Sequence, residues 1–299
     1  MRIYGVDFTC APRRAKPITI AVAVLRNKSV FLEDVALAAS FADFEAFLQR
    51  PGPWVGGFDF PFSLPRELVR DLGWPSDWQT LVAHCSTFAR LQFREALDSY
   101  RNTRPVGKKY AHRATDLPAG SSSPMKLVNP PVALMFHEGA RRLLAAGVRI
   151  PGVLENRSSR IALEAYPGLL MRKQLGLRAS YKSDTRRDHT PARKAVRQAA
   201  VNAMVEANPL GIALRAGRKL LKALVDDGSG DLLDAAICAV QAAWATGQKG
   251  YGIPAGAPAG EGWIISARSP WLACTRSSGA PLPGAGCRTG RRRVRADRR

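Results

Sequence analysis

Five carboxylates stand in settings that a folding chain does not fill with acid without a reason. Asp7 lies in Gly5-Val6-Asp7-Phe8, Asp59 in Gly57-Phe58-Asp59-Phe60 and Glu164 in Ala162-Leu163-Glu164-Ala165. All three are flanked by apolar or small residues. A carboxylate buried in such a run is costly unless it meets a cation or a strong donor. Asp231 and Asp234 are three residues apart, so on a helix they share a face and reach one site. One acid of this kind is accommodated as a turn or a cap. Three of them, with an Asp-x-x-Asp pair, are better explained by a shared hard cation, Mg²⁺ or Mn²⁺, which takes oxygen ligands.

A purely structural role competes at each position. Asp7, followed by Thr9, also fits a strand-end turn, and Asp59 before Phe60-Pro61 fits a group that satisfies backbone N–H donors. Glu164 fits a partner of Arg160 or another basic residue. Asp231 fits an N-cap, which leaves Asp234 needing a separate account. Asp226 and Asp227 read as a solvated turn. No Ser-His or Cys-His arrangement stands out. Of the histidines, His112 and His137 offer a proton shuttle, but His84, His112, His137 and His189 read more simply as packing or surface residues. The five cysteines (10, 85, 238, 274 and 287) are odd in number, widely spaced and lack a C-x-x-C pair, which argues against a disulfide framework or a zinc site.

The acids need strands and a helix to position them. Residues 2–8 read as a short buried strand ending in Asp7, 17–25 as a second strand and 30–36 as a third, with a tight turn at 27–29. Ser40 reads as the N-cap of a helix with an apolar face of Phe41, Phe44, Ala46, Phe47 and Leu48, stopped by Pro51 and Pro53. Residues 54–60 then form a fourth strand carrying Asp59, closed by Pro61. A fifth, 160–165, carries Glu164. Pro167 starts a short helix, and Thr190 and Pro191 open another that runs to about residue 207. Asp231 caps a last helix over 232–246, apolar almost all round and therefore buried. Residues 261–266 offer a further strand. Between strands four and five, 63–152 reads as an insertion, with helices at 65–73, 78–99 and 131–147. A polar, basic loop at 102–129 completes it, and a loop of that length inside a domain is usually functional or disordered.

The chain has 299 residues, 46% of them hydrophobic and 23% charged, which excludes a coiled coil, a collagen-like chain and a wholly disordered protein. The net charge is +21 and the pI about 10.6, so a polyanionic partner is expected. From Arg276 onward there are eight arginines against the single acid Asp297, a net +7. The segment 270–299 is rich in Ser, Gly, Pro and Arg and reads as a disordered tail. It is either a solvated end or a nucleic-acid-binding arm. Residues 1–269 read as one domain, long enough for a sizeable core. No secretory signal and no run of about 18 apolar residues is found, so a soluble, cytoplasmic protein without a membrane partner is expected.

The basic loop supplies candidate phosphate contacts. Arg101, Arg104, Lys108, Lys109, His112, Arg113 and Lys126 are interleaved with Tyr100 and Tyr110. Cations neutralise phosphates while aromatics stack on bases. A solvated basic loop is the alternative. A second basic stretch, 172–197, includes Lys182, Arg186, Arg187, Arg193 and Lys194. Trp74 and Trp78 read as packing residues of the insertion.

The order β-β-β-α-β, then β and a terminal helix, with acids on strands one, four and five and on that helix, resembles the ribonuclease H-like fold. More closely, Gly5-Val6-Asp7, Gly57-Phe58-Asp59-Phe60-Pro61, Glu164-Ala165-Tyr166-Pro167 and Asp231-Leu232-Leu233-Asp234-Ala235-Ala236 resemble the motifs of the domain of unknown function 429 (DUF429) family, predicted RNase H-like nucleases. The Asp-x-x-Asp-Ala helix is also similar to that of Holliday-junction resolvases. The resemblance spans roughly 2–266 apart from the insertion, and the chain departs from it in that insertion and in its arginine-rich end. It implies a mixed five-stranded α/β sheet flanked by helices. It also implies a nuclease that hydrolyses phosphodiesters with two Mg²⁺ or Mn²⁺ ions about 3.5–4 Å apart. Asp7 would bridge them, and Asp59, Glu164 and Asp231 or Asp234 would hold them. One ion would activate the attacking water and the other would stabilise the leaving 3′ oxygen.

Two other functions remain open at this point. The first is an ATP-using phosphotransferase of the actin and sugar-kinase superfamily, which shares this sheet order; Gly5-Val6-Asp7-Phe8-Thr9 faintly resembles its first phosphate loop, although no second glycine-rich loop is found. In a non-catalytic nucleic-acid-binding protein, charge alone would do the work. Convergence of the acids in space separates these from the nuclease.

Overall fold

In the computed structural model, which describes residues 1–206 and 208–268, the three strand acids lie at one end of a single sheet. Strand β1 (Arg2–Asp7) pairs in parallel with β4 (Trp54–Asp59), with Asp7 directly opposite Asp59. Strand β5 (Arg160–Glu164) pairs in parallel with β4, with Glu164 opposite Phe58. The carboxyl ends of parallel strands are where open α/β sheets present ligand sites. Strand β2 (Ile18–Arg26) runs antiparallel to β1, and β3 (Ser29–Ala38) antiparallel to β2. Asn27 turns the chain between them at φ 53°, a conformation asparagine tolerates.

A sixth strand, β6 (Ala213–Ala216), pairs in parallel with the outer edge of β3 and completes the order β5-β4-β1-β2-β3-β6. The sheet is mixed, as expected, but has six strands rather than five. The extra strand is four residues of Ala-Leu-Arg-Ala, with no β-branched side chain to announce it. The segment 261–266 is not a strand and contributes a single bridge between Ile264 and Glu164.

Helices cover both faces. Helix α1 (Phe41–Leu48) begins at Ser40, whose hydroxyl accepts from the Asp43 N–H while the Asp43 carboxylate accepts from the Ser40 N–H. The inserted segment supplies α2 (Arg66–Asp71), α3 (Trp78–Thr87), α4 (Arg90–Thr103), α5 (Asp116–Ala119) and α6 (Val132–Ala146). The single helix expected over 78–99 is two, broken at Phe88 and Ala89, where the backbone is extended. These helices share one core with the sheet. Phe58, Phe60 and Phe62 pack against Trp78, Phe93 and Phe136, and the Trp78 indole donates to the Phe62 carbonyl. The insertion is thus a layer of the fold.

The opposite face carries α7 (Pro191–Glu206), α8 (Arg218–Asp226) and α9 (Asp231–Thr246), after a π-helical turn at Leu169–Gln174. Helix α9 is buried almost all round and lies across β1, β4 and β2. It reaches the sheet closely because of two glycines. A Cβ at Gly5 would sit 2.0 Å from the Ala235 carbonyl oxygen, and one at Gly57 2.4 Å from that of Cys238.

Two expectations near α9 are corrected. Its N-cap is Gly230, at φ 78°, not Asp231. Asp226 and Asp227 are not a free turn. Asp226 ends α8 and pairs with Lys194 and Lys222, and the Asp227 carboxylate accepts from the N–H groups of Ser229 and Leu232. Asp227 therefore satisfies the first turn of α9, which leaves Asp231 for other work. Cys10, Cys85 and Cys238 are free and buried. No helix among the described residues is long and apolar enough to cross a membrane. The tail expected at 270–299, with Cys274 and Cys287, lies outside the described residues.

Candidate metal centre

The pleat decides which acids meet. Neighbours in register on parallel strands point to the same face, and successive residues to opposite faces. Asp7 and Asp59 follow Gly5 and Gly57 by two residues and so project on the α9 side. There they meet Asp234, one turn into the helix. One carboxylate oxygen from each of Asp7, Asp59 and Asp234 lies within 4.8 Å of the others. Glu164 is in register with Phe58 and projects to the other face, toward the insertion.

Each of the other expected ligands is held by a cation. Glu164 is 4% exposed and takes both arms of Arg113, at 2.6 Å to Oε1 and 2.7 Å to Oε2. Its Oε2 also accepts from the Phe62 N–H at 3.0 Å. Arg113 is 2% exposed and is held in addition by Asp116, at 2.9 Å. Arg160, the partner suggested by sequence, donates instead to the carbonyls of Leu48 and Ala146. Asp231 accepts from the Lys16 ammonium at 2.8 and 2.9 Å, and Lys16 also reaches Asp184 at 2.7 Å. Asp234 is fully buried. It accepts from the Tyr181 hydroxyl at 2.6 Å and from the Lys182 ammonium.

Asp7 and Asp59 have no such partner. Among the described residues no hydrogen bond or ion pair is made to either carboxylate, and the titration of both is displaced. Burial pushes the Asp7 carboxyl well above its ordinary range. Lys182 opposes this, while Asp234, Asp231 and Asp59 add to it. Burial likewise pushes Asp59 up to about 7, against Lys182 and with Asp234 and Glu164. Burial opposes the charge on Lys182, but Asp234, Tyr181, Asp7 and Asp59 outweigh it and hold its pKa well above normal. The centre is therefore short of positive charge: with Asp116 and Asp184 counted, seven carboxylates face Arg113, Lys16 and Lys182, and Arg172 adds a more distant charge beside Asp59.

A hard divalent cation fits that shortage. Asp7, Asp59 and Asp234 form an all-oxygen donor set, and among the described residues two of the three carboxylates accept no hydrogen bond and make no ion pair. The centre opens into a cleft of about 880 Å³, whose walls include Lys16, Lys126, Arg172, Arg178 and Lys182.

The candidate phosphate contacts separate in space. Lys126 lines this cleft. Arg113 does not face solvent; it is the buried partner of Glu164, a correction to its expected role. Arg104 and Lys108 line a second cavity of about 710 Å³ within the insertion, where Arg104 pairs with Glu67 at 2.8 Å. Arg101 pairs with Asp98 and lies over the Tyr110 ring, Lys109 is half-buried and His112 is exposed. Tyr100 is buried, with its hydroxyl on Asp71, and is not placed to stack on a base. His137 packs on Phe93, and His84 packs between Trp74 and Phe88.

Lys16, Tyr181 and Asp116 were not legible as site residues. Buried acids demand cations, but nothing in the sequence says which of 45 basic residues answers. Comparison with known proteins gives one relationship. No curated protein and no solved structure matches the chain. The model of a family described as a protein of unknown function (DUF429) matches residues 5–259, a span that contains all five acids, and the chain belongs to that family.

Proposed function

We propose that this protein is a metal-dependent phosphodiester hydrolase acting on nucleic acid, on a ribonuclease H-like sheet, with Mg²⁺ or Mn²⁺ held by Asp7, Asp59 and Asp234. The observation that carries the reading is the convergence of these three carboxylates from two strands and a helix. The order of strands β1 to β4 and the α9 helix laid across them support the ribonuclease H-like assignment. A divalent ion, when bound, supplies Lewis-acid activation of water and of the phosphate.

The chain's own groups do the rest. Asp7 and Asp59 would hold the ion as carboxylates, and the Tyr181 hydroxyl, which donates to Asp234, orients that third ligand. Lys16 and Lys182 present ammonium groups from the cleft wall, where a phosphate oxygen would replace part of their present carboxylate contact. Arg113 ties the insertion to β5 through Glu164 and fixes one wall of the cleft. Lys126, Arg172 and Arg178 on the walls suit a polyanionic strand, as does the net charge of +21.

The test is cleavage of a panel of single-stranded, duplex and branched DNA and RNA, with and without Mg²⁺ or Mn²⁺. Cleavage of at least one substrate is expected with the ion and none with a chelator. Asp7→Asn should lower the rate by about 10²–10³-fold, the size typical for loss of a transition-state contact. Cleavage that survives Asp7→Asn would overturn the reading.

A further inference from the structure

The resemblance to two-ion nucleases implies two ions bridged by Asp7 and held by Asp59, Glu164 and Asp231 or Asp234, and the geometry points elsewhere. Resting on the reading above, we propose that the centre binds one divalent ion per chain, on Asp7, Asp59 and Asp234. Glu164 is outside the ligand set, and the Lys16 and Lys182 ammonium groups take the place of a second ion.

Three observations carry this. First, the pleat turns Glu164 to the face opposite Asp7 and Asp59, because it sits in register with Phe58 and not with Asp59. Second, Glu164 has no oxygen to spare. Arg113 takes both, and the Phe62 N–H takes one of them again. The Arg113 side chain is 1% exposed and gripped from the other side by Asp116. Turning Glu164 toward an ion would break both of its bonds to a buried guanidinium and leave Asp116 as the one carboxylate on it, a costly loss in the interior. Third, the remaining cations differ from Arg113 in being movable. The Lys182 side chain is 42% exposed and that of Lys16 is 28% exposed, and both ammonium groups end flexible stems in the cleft wall. Lys16 engages both oxygens of Asp231, so that acid holds a lysine rather than an ion. Two ammonium groups carry the same charge as one divalent ion and stand where a phosphate must enter.

Lys182 also lies on Asp234, so it competes with the first ion until a phosphate draws it away. Its removal should therefore tighten metal binding while weakening the hold on phosphate.

The experiment is calorimetric titration of the full chain with Mn²⁺ alone at pH 8, on wild type, Asp59→Asn, Glu164→Gln and Lys182→Ala. The expected result is one ion per wild-type chain. Glu164→Gln should retain that ion within about threefold in Kd, and Asp59→Asn should weaken it by about tenfold or more. Lys182→Ala should bind it about three- to tenfold more tightly. Two ions per wild-type chain would overturn the inference and leave the hydrolase reading intact. Loss of the ion in a folded Glu164→Gln, checked by circular dichroism, would do the same. No binding at all would overturn both. The wild-type stoichiometry decides the matter even if a variant fails to fold.

Discussion

Asp59 and Glu164 stand one register step apart on neighbouring strands, and that step gives them different chemistry. Asp59 turns toward α9 and has no ion-pair partner among the described residues, while Glu164 turns toward the insertion and is saturated by Arg113. The acids were legible because carboxylates in apolar runs are conspicuous. Their counter-ions were not, because the pairs are assembled over long stretches of chain: 51 residues for Arg113 and Glu164, and 215 for Lys16 and Asp231. A second buried acid shows the opposite electrostatics. Glu138 on α6 is 2% exposed and faces Arg141, Arg142 and the His137 ring. Burial pushes its carboxyl up, but His137, Arg142 and Arg141 outweigh that and hold it at about 2. A folded pKa below the unfolded value contributes stability above about pH 4.5 that is lost as pH falls toward 2. Glu138→Gln should therefore cost about 2 kcal/mol at pH 7 and about half of that or less near pH 3. Urea unfolding of both chains at the two pH values measures this. An equal difference at both would show that the charge on Glu138 is not what stabilises the fold.

Among the elements, α9 and the two strands beneath it are the pieces that assemble the centre. The pattern Gly-x-Asp occurs on both strands, as Gly5-Val6-Asp7 and Gly57-Phe58-Asp59. Strand alternation puts each glycine and its aspartate on one face, so the helix seats on the glycines and its first turn meets the aspartates. Gly5→Ala would place a Cβ 2.0 Å from the Ala235 carbonyl oxygen and 2.3 Å from the Ala239 nitrogen, both backbone atoms that cannot step aside. The helix must shift, and overpacking of this kind costs about 1–3 kcal/mol or more. Thermal unfolding should show the loss. Mn²⁺ affinity should fall with it, because Asp234 moves away from Asp7 and Asp59. An alanine variant with unchanged affinity would mean that the close helix–sheet approach does not set the centre. The first four strands and α9 were legible from apolar runs and flanking turns. Strand β6 and helix α8 were not, because β6 is short and weakly β-forming and its pairing with β3 is decided by the third dimension. The N-cap assignment failed for a related reason. Asp227, four residues upstream of Asp231, already satisfies the first turn through the Leu232 N–H.

Across the whole molecule, the inserted segment proves to be part of the core. Its helices close one face of the sheet, and its Arg113 reaches the carboxyl end of β5, so the wall of the cleft and the body of the fold are one structure. The segment was legible as an insertion within one domain, 1–269, but not which of its side chains reach the sheet, because those contacts are set by tertiary packing. The charge of +21 has likewise become specific: Lys16, Lys126, Arg172, Arg178 and Lys182 place part of it on the cleft walls around an acidic floor that is short of cations. The central claim is that this floor is a divalent-cation site. Anomalous diffraction from crystals grown with Mn²⁺ tests it most directly. The account predicts a manganese peak at about 2.0–2.2 Å, the usual distance for small hard cations, from carboxylate oxygens of Asp7, Asp59 and Asp234, with none on Glu164. Full-occupancy Mn²⁺ elsewhere on the protein, with nothing between those three aspartates, would contradict it.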